Sequence, residues 1–492
     1  MDRLGRSGGC MVMPVVLLAL VLSQSPSAWV IEDVPVPEDA VLEVGGIASI
    51  GPDAIAVCTR RGELWFIRSA FGDSPEFTLS MEGLHEPLGL LKVDDWLYVA
   101  QRGELSRMRD SDGDDRIDEL ETVCDDWEIS GNYHEYAFGP RRDADGDFWI
   151  TLNKPFGEEP FGNAHWRGWA MRIDADGTMQ GASAGLRSPA GIESSPDGEI
   201  FYTDNQGEWC GASKLSHLEV GDFHGHPHGI ESCDLPASLV DHPGQVPDGM
   251  PMPEVGEVIE HFKMPAVWFP YDKMGRSPSG MVWDTTGGDF GPFAGQVFVG
   301  DQYAPIVMRV DLEQIDGHWQ GACFPFLEGF ACGITRLAWA ESSQPTLVVG
   351  MTDRGWPSLG TRSEGLQQVR FSGTDPFSIR TMRVTPDGFR LEFTSAVDPE
   401  SLGSASDWSM SSYTYLLHSP YGSPETDAVR PKITELIVGS DGMTVDLLVD
   451  GLREGYVHEL LVPDLTDVEG RRLDHRRAYY TLINRPTAES GP

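Results

Sequence analysis

Short apolar runs alternate with polar turns along most of the chain, and the pattern is clearest over residues 185–206. Residues 191–194 and 200–203 have the composition of two strands, and the Pro196-Asp197-Gly198 sequence between them is typical of a tight turn. Similar hairpin patterns occur near residues 89–99, 138–150 and 280–299. A strand hairpin that recurs at intervals of roughly 45 to 90 residues predicts a β-propeller whose blades differ in loop length.

The recurring hairpins indicate six blades over residues 29–374, and five or seven blades are also compatible with the pattern. Over residues 375–486 the rhythm changes to alternating strands with a turn about every ten residues, which predicts an Ig-like β-sandwich. The expected fold class is therefore all-β: a six-bladed β-propeller followed by a small C-terminal β-sandwich (Ig-like) domain. Residues 487–492 are expected to form a disordered tail.

The first 28 residues have the features of a secretory signal peptide. Arg3 and Arg6 precede an apolar run over residues 11–22, and small residues lead to a cleavage site near Ala28. The apolar run is too short to span a membrane, so no span is expected after signal removal. An uncleaved anchor is the alternative. The predicted location is the periplasm or the outside of the cell.

Cysteine usage agrees with an oxidising compartment. One of the seven cysteines, Cys10, lies in the predicted signal peptide, which leaves an even number in the mature chain. Sequence separation favours three disulfide bridges: Cys210–Cys233, Cys323–Cys332 and Cys58–Cys124.

The charge balance restricts the choice of partners. The chain has 77 acidic and 36 basic residues, for a formal net charge of -41 at neutral pH. A strongly acidic surface repels phosphate backbones, so we expect no nucleic acid partner.

An acidic segment over residues 110–121 predicts a calcium-binding loop. It places carboxylates at positions 1, 3, 5, 9 and 12 of a twelve-residue loop, the spacing of an oxygen-rich Ca²⁺ site. Asp115 stands at position 6, where such loops have glycine, and a solvated acidic turn is the alternative. The predicted metal-binding residues are Asp110, Asp112, Asp114, Arg116, Asp118 and Glu121.

Three residues at related positions suggest a catalytic site. His134 precedes the inner strand of the third predicted blade, Arg187 precedes that of the fourth, and Arg336 has the corresponding place in the sixth. Side chains at these positions are expected to face the central channel. A histidine with two arginines can provide a general base and anion-binding partners, although each residue alone also has a structural interpretation.

Several sequence segments resemble the soluble glucose and sorbosone dehydrogenase family. This resemblance covers about residues 40–372. Within the family, the sequence is similar to a secreted variety found in planctomycete-type bacteria. The family consists of six-bladed propellers that hold pyrroloquinoline quinone (PQQ) and Ca²⁺ at the channel mouth. The segments that carry the resemblance are Gly185-Leu-Arg-Ser-Pro-Ala-Gly191, Pro196-Asp-Gly198, Thr203-Asp-Asn205, Phe223-His-Gly-His-Pro227, His134 with Ala137-Phe-Gly-Pro140, Ser277-Pro-Ser-Gly280, residues 293–300 and Asp353-Arg-Gly-Trp356.

The resemblance implies roles for individual residues. His134 matches the catalytic base, Arg187 matches the arginine that holds the reactive quinone carbonyl, and Arg336 lies in the region of the arginines that bind the quinone carboxylates. Asn205 and Arg354 lie in matching segments and are further cofactor-binding candidates. Asn153 is placed in the catalytic set because it stands where the family has the aspartate that orients the base. An amide stabilises an imidazolium less well than a carboxylate does.

The main functional hypothesis is a secreted, quinoprotein-type dehydrogenase. It would oxidise a sugar or alcohol hydroxyl and transfer a hydride to PQQ, with Ca²⁺ as a second cofactor. The expected partners are a small-molecule carbohydrate or alcohol and an electron-accepting cytochrome. The alternative hypothesis is a non-catalytic β-propeller that binds carbohydrate or protein and uses the C-terminal domain for docking.

Overall fold

The computed structural model describes residues 27–157 and 164–487. Within these ranges the all-β prediction is confirmed, because the only helices are Met252–Val255 and the 3-10 helices Ile230–Asp234 and Ala405–Asp407. No helix in the described ranges is long and apolar enough to cross a membrane. The predicted signal peptide lies outside these ranges except for its last two residues, and so does the predicted tail except for its first residue.

From Trp29 to Phe371 the described residues form six antiparallel groups of four strands, called sheets one to six below. Strand β1, Trp29–Asp33, belongs to sheet six. Sheets one to three follow the chain in order, and each consists of four consecutive strands. These strands are β2 Val44–Gly51, β3 Ala54–Thr59, β4 Glu63–Arg68 and β5 Glu76–Glu82; β6 Leu90–Val93, β7 Trp96–Ala100, β8 Leu105–Arg109 and β9 Glu119–Cys124; and β10 Ala137–Arg142, β11 Phe148–Leu152, β12 Trp169–Ile173 and β13 Met179–Ala184.

Sheets four and six depart from simple chain order. Sheet four takes its outer strand, β18, from beyond a long excursion that contains strand β17, Met250–Pro251, and helix α1, Met252–Val255. Sheet six takes its outer strand, β1, from the start of the described chain. The strands of sheets four to six are β14 Pro189–Ser194, β15 Ile200–Asp204, β16 Ser213–Leu218 and β18 Val267–Phe269; β19 Pro278–Trp283, β20 Val297–Asp301, β21 Ile306–Ile315 and β22 His318–Glu328; and β23 Ile334–Ala340, β24 Thr346–Thr352 and β25 Glu364–Phe371.

The first strands of the six sheets contact one another in a closed ring. Strand β2 lies between β23 and β6, strand β14 lies between β10 and β19, and the remaining contacts join β6 to β10 and β19 to β23. These strands approach very closely: a Cβ atom on Gly89 would lie 2.0 Å from the carbonyl oxygen of Gly139. Glycine is therefore required at this point in the ring.

The guanidinium of Arg336 bonds backbone carbonyls of β2, of β14, of its own strand β23 and of Leu88, two residues before β6. Its Nε donates to the carbonyl of Gly45 at 2.7 Å and its Nη2 donates to that of Leu88 at 2.9 Å. Its Nη1 donates to Ala190 at 3.1 Å and to the carbonyl of Thr335. Four of the five N–H groups of this buried side chain are thus bonded to backbone carbonyls, which belong to sheets one, four and six and to the segment before sheet two.

The C-terminal residues form two further four-stranded sheets around one apolar core. One sheet has the order β26-β27-β32-β31, and the other has the order β34-β33-β28-β30. The second is continuous with sheet five, because β34 pairs with β22. The strands are β26 Ile379–Thr385, β27 Gly388–Phe393, β28 Ser409–Thr414, β29 Leu416–Leu417, β30 Thr426–Val429, β31 Lys432–Val438, β32 Thr444–Asp450, β33 Tyr456–Leu461 and β34 Arg477–Leu482.

The disulfide prediction is wrong for this structure. All six cysteines in the described ranges, which are the six of the predicted mature chain, are free thiols. Three of the thiols donate hydrogen bonds to carbonyls: Cys58 to Pro87, Cys210 to Ala212 and Cys323 to Trp268. Burial raises the pKa of Cys58 and of Cys210 to about 12, so these thiols are protonated and unreactive at neutral pH. Sequence separation was a poor guide because the pairing depends on which strands are neighbours.

We expect Arg336→Met to destabilise the fold in the absence of any cofactor. The substitution leaves four buried carbonyls without their donor, and each such loss costs about 1–3 kcal/mol. Urea unfolding should therefore show a loss of at least about 3 kcal/mol. Arg362→Met is the control, because it removes an exposed ion pair with Asp33, worth less than about 1 kcal/mol. An Arg336→Met protein that unfolds like the wild type but no longer binds PQQ would instead support the cofactor role predicted from the sequence.

Candidate active site

A cavity of about 180 Å³ opens where the first strands of the ring begin. Its wall includes the first residues of several first strands, among them Val44, Phe138 and Ala190. The predicted catalytic and cofactor-binding residues all line this one cavity: His134, Asn153, Arg187, Asn205, Arg336 and Arg354. The structure therefore brings together a set that the sequence distributes over about 220 residues.

His134 lies in the segment before β10, and its side chain is only 8% exposed. The ring stacks on Phe156, with 3.5 Å between ring centroids. Nδ1 is 2.8 Å from the carbonyl oxygen of Lys154, and Nε2 is 3.2 Å from Oγ of Ser188. A carbonyl only accepts hydrogen bonds, so Nδ1 carries the proton and Nε2 keeps its lone pair.

The surroundings of His134 keep the imidazole neutral. Burial lowers its pKa, and the positive charges of Arg187 and Lys154 lower it further, to about 3, against the opposing effect of the hydrogen bond to the Lys154 carbonyl. The group is therefore available as a proton acceptor at neutral pH, although a pKa this low makes it a weak base.

Asn153 does not bond His134 directly, and its place in the catalytic set stays a prediction. Its Nδ2 donates to Oγ of Ser188 at 3.3 Å, and the Nδ1 position of His134 is taken by the backbone carbonyl of Lys154. A main-chain carbonyl thus does the orienting that the family resemblance assigned to a side chain at residue 153. The Oδ1 atom of Asn153 is buried and has no partner among the described residues.

Arg187 lies between two aromatic rings. Its guanidinium carbon is 5.0 Å from the ring centroid of Phe156 and 5.3 Å from that of Tyr421. Nε and Nη2 both donate to Oε2 of Glu208, at 3.2 and 2.9 Å. No protein partner for Nη1 occurs in the described part of the chain, so this end of the fork is the one available to a ligand.

Glu208 connects two cations beside the cavity. Its Oε1 is 2.5 Å from Nζ of Lys154, while Oε2 bonds Arg187. Burial would raise the pKa of Glu208, but the two cations lower it to about 2, so the carboxylate is ionised. One carboxylate with two cations leaves one net positive charge next to His134.

Asn205 and Arg354 occupy different parts of the wall. Asn205 follows β15, and its Nδ2 donates to the carbonyl of Ser188 at 3.3 Å, while its Oδ1 is buried without a partner in residues 27–157 and 164–487. Arg354 is half exposed and forms an ion pair with Glu43 at 2.5 Å. Arg336 lies in the wall too, with the backbone bonds described above. The cofactor-binding roles of these residues stay predictions.

The predicted calcium loop lies outside the cavity lining and is only partly assembled as a ligand set. Carboxylate oxygens of Asp110, Asp112 and Asp114 all lie within 4.8 Å of one another. Asp118 instead accepts from Ser111, at 3.0 Å from the backbone N–H and 2.7 Å from the hydroxyl. In β9, Glu121 forms an ion pair with Arg107, and the backbone N–H of Arg116 donates to Asp114. Calcium binding at this loop stays a prediction.

Sequence reasoning missed five residues that shape the site. Lys154, Phe156 and Glu208 come within a few positions of residues that were singled out, so inspecting the neighbours of Asn153 and Asn205 could have found them. Ser188 lies inside the motif that carries the family resemblance. Tyr421 belongs to the C-terminal residues, and no local pattern connects it to the cavity.

Comparisons with known proteins bear on the fold of this chain. A family model described as a domain of unknown function (DUF7133) matches residues 72–230. No curated protein sequence matches the chain. A structure assigned as an oxidoreductase (glucose dehydrogenase) from Thermus thermophilus is 17% identical, and the match covers 69% of this chain and 99% of that chain with a TM-score of 0.50. The chain has the glucose dehydrogenase-type β-propeller fold.

Two other solved structures are similar. An enzyme of carbohydrate-active family AA12 from Trichoderma reesei is 12% identical, with 70% of this chain and 96% of that chain covered at a TM-score of 0.50. The PQQ-bound aldose sugar dehydrogenase from Streptomyces coelicolor is 14% identical, with 70% of this chain and 99% of that chain covered at a TM-score of 0.47. The resemblance to the glucose and sorbosone dehydrogenases is confirmed at the level of the fold.

The donor groups of the cavity fit PQQ, a planar quinone that bears carboxylates. Nε of Arg60 is a buried donor without a partner in the described ranges. Five arginines line the cavity, although four of them already have a carboxylate partner in the protein. The five are Arg60, Arg187, Arg276, Arg336 and Arg354.

We expect His134 to stay neutral in the folded protein at about pH 5. In the unfolded chain its pKa returns towards 6.5, so the folded state loses stability as the pH falls from about 6.5 towards 3. His134→Gln removes this group and should reduce the pH dependence of the unfolding free energy in that window. Urea unfolding at about pH 7.5 and pH 5 measures the difference, with the exposed His242→Gln as control. Equal pH dependence in wild type and His134→Gln would contradict the assignment.

Proposed function

We propose that this protein is a quinoprotein-type dehydrogenase that oxidises a sugar or alcohol hydroxyl, with PQQ as the hydride acceptor. The observation that carries the proposal is the neutral His134, whose Nε2 is an acceptor 3.2 Å from the Ser188 hydroxyl, in the same cavity as Arg187. A neutral base can take the proton of a substrate hydroxyl, and an arginine with an open Nη1 can hold an oxygen of a bound ligand. The fold shared with the glucose dehydrogenase structure agrees with this assignment.

The chain's own residues have defined tasks in this proposal. When bound, PQQ supplies the electrophilic centre that receives a hydride from the carbon bearing the hydroxyl. His134 takes the hydroxyl proton at Nε2. The carbonyl of Lys154 then accepts from Nδ1, and the carboxylate of Glu208 favours the charge that forms on the ring. Nη1 of Arg187 would donate a hydrogen bond to an oxygen of the bound PQQ or of the substrate.

The proposal includes the finer architecture and the location predicted from the sequence. Sheets one to six are the blades of one six-bladed propeller over residues 29–374, and residues 375–486 form an Ig-like sandwich. Residues 1–28 are a signal peptide that directs the chain to the periplasm or the medium, and an electron-accepting cytochrome reoxidises the cofactor. The closed ring of first strands and the shared C-terminal core support the architecture.

One observation favours the non-catalytic alternative. The arginine charges at the cavity are largely balanced by carboxylates of the protein, as in the pair of Arg187 with Glu208. A site whose charges are already compensated binds an anionic cofactor less strongly than one with free cations. A propeller that binds a neutral carbohydrate or a protein partner would keep the same arrangement.

PQQ binding and turnover test the proposed function directly. PQQ with Ca²⁺ should bind the purified protein, and the loaded protein should reduce a dye with at least one sugar in a panel. His134→Ala should lower turnover by about 10²- to 10⁴-fold, the usual contribution of a general base, while PQQ affinity changes little. Absence of both PQQ binding and turnover with any sugar would reject the enzyme in favour of the binding protein.

We also propose that Ca²⁺ binds the loop over residues 110–121. The approach of three carboxylates, from Asp110, Asp112 and Asp114, supports a cation there. Chelation should lower the melting temperature, because a metal that binds only the folded state stabilises it by mass action. Asp112→Ala should abolish this shift, and Asp145→Ala, at an exposed turn of another sheet, should leave it unchanged. If neither chelator nor added Ca²⁺ changes the melting temperature, the loop is a solvated acidic turn and the calcium proposal is rejected.

A further inference from the structure

A segment of the C-terminal residues, 415–423, is docked on the propeller beside the cavity and is called the strap below. Its main chain bonds the propeller in several places: Trp209 donates to the carbonyl of His418 at 2.8 Å, and Gly422 donates to that of Gly207 at 3.0 Å. Within it, β29 pairs with β17 of the long excursion in sheet four. The strap is therefore held by backbone pairing on two sides.

Side chains and one glycine fix the strap further. Asp248 accepts from the backbone N–H of Ser419 at 2.9 Å and from its hydroxyl at 2.7 Å. Gly422 has a φ of 64°, and a Cβ there would lie 2.7 Å from Cδ of Gln206, so the chain turns at a place that only glycine fits. Tyr421, the residue before this turn, is held at a defined position.

Tyr421 is an exposed aromatic residue of the cavity lining. It lines the cavity and is 59% exposed, although its ring lies over the guanidinium of Arg187. Two other aromatic residues of the lining are also unusually exposed: Tyr133 at 63% and Trp356 at 45%. Exposed aromatic side chains grouped around a cavity mouth mark a binding surface.

Two polar residues of the same cavity lining have unused hydrogen-bonding capacity. Oδ1 of Asn205 and Oδ1 of Asn153 are buried acceptors without partners in the part of the chain that the structure describes, and both residues line the same cavity as Tyr421. These amide oxygens need donors, which hydroxyl groups supply and carboxylates or quinone oxygens do not. A flat aromatic surface together with buried acceptors matches a ring that carries hydroxyl groups.

We propose that Tyr421 is the stacking platform for the ring of a neutral sugar, so that the C-terminal residues determine which substrate the propeller accepts. This rests on the proposed function, and it adds a specificity-determining residue. Sugar C–H groups carry partial positive charge, which the negative face of an aromatic ring attracts. The hydroxyl groups of the ring donate to the amide oxygens of Asn205 and Asn153.

Direct titration calorimetry of the full-length protein tests this inference without turnover. Wild type, Tyr421→Ala and Tyr421→Phe are titrated with a panel of neutral mono- and disaccharides, and separately with PQQ. Tyr421→Ala should weaken sugar binding about tenfold, which equals about 1.4 kcal/mol. Tyr421→Phe keeps the ring face and should stay within about twofold of wild type, and PQQ affinity should be unchanged in both variants.

Asp248→Ala provides a second variant outside the cavity lining. It removes the acceptor that fixes Ser419 and should weaken sugar binding by an intermediate factor, while the melting temperature of the protein shows that the fold is kept. Equal sugar affinity in wild type and Tyr421→Ala, or no sugar binding to the wild type, overturns the platform. If Tyr421→Ala loses PQQ binding and keeps sugar binding, Tyr421 is a cofactor contact, and the platform proposal is overturned as well. PQQ binding by the wild type separates failure of this inference from failure of the dehydrogenase proposal.

Discussion

The guanidinium of Arg336, bonded to backbone carbonyls of three sheets and of the segment before sheet two, is the interaction on which the centre of this protein depends. The segments of the ring approach closely enough to exclude a Cβ at Gly89, and they bring four backbone carbonyl groups within reach of this side chain. One buried cation supplies donors to all four groups at once. The same side chain lies in the wall of the cavity, so the stability of the ring and the shape of the site are determined together.

Around this centre the cavity combines a neutral base with compensated cations. Burial makes the imidazole of His134 neutral, and the Lys154 carbonyl fixes its tautomer. Glu208 balances one of the two charges contributed by Lys154 and Arg187. The arrangement is suited to proton removal from a neutral substrate, and the low basicity of His134 follows from its burial. A bound anion would raise the pKa of His134 by opposing the same two cations.

The sequence predicted the repeating elements well, because strand alternation and Pro-Asp-Gly turns are local signals. It also placed His134 and Arg187 at one end of a channel, since residues before the first strand of each sheet share that position. It failed where three-dimensional neighbours decide the outcome. Lys154 contacts His134 through its backbone carbonyl, and a backbone group cannot be recognised from the residue type. Cys58 and Cys124 are free thiols because their strands are not placed for pairing, and their separation in the sequence does not show this. The contribution of Tyr421 depends on how the strap docks, and pattern analysis of separate domains does not reveal it.

The central claim is that this cavity is a quinone site with His134 as its base. A crystal structure of the protein grown with PQQ and Ca²⁺ tests it most directly. The account predicts quinone density in the cavity, with an oxygen within hydrogen-bond distance of Nη1 of Arg187 and with open space for a hydroxyl at Nε2 of His134. Quinone density elsewhere, or a cavity that holds only water at saturating PQQ, would contradict it.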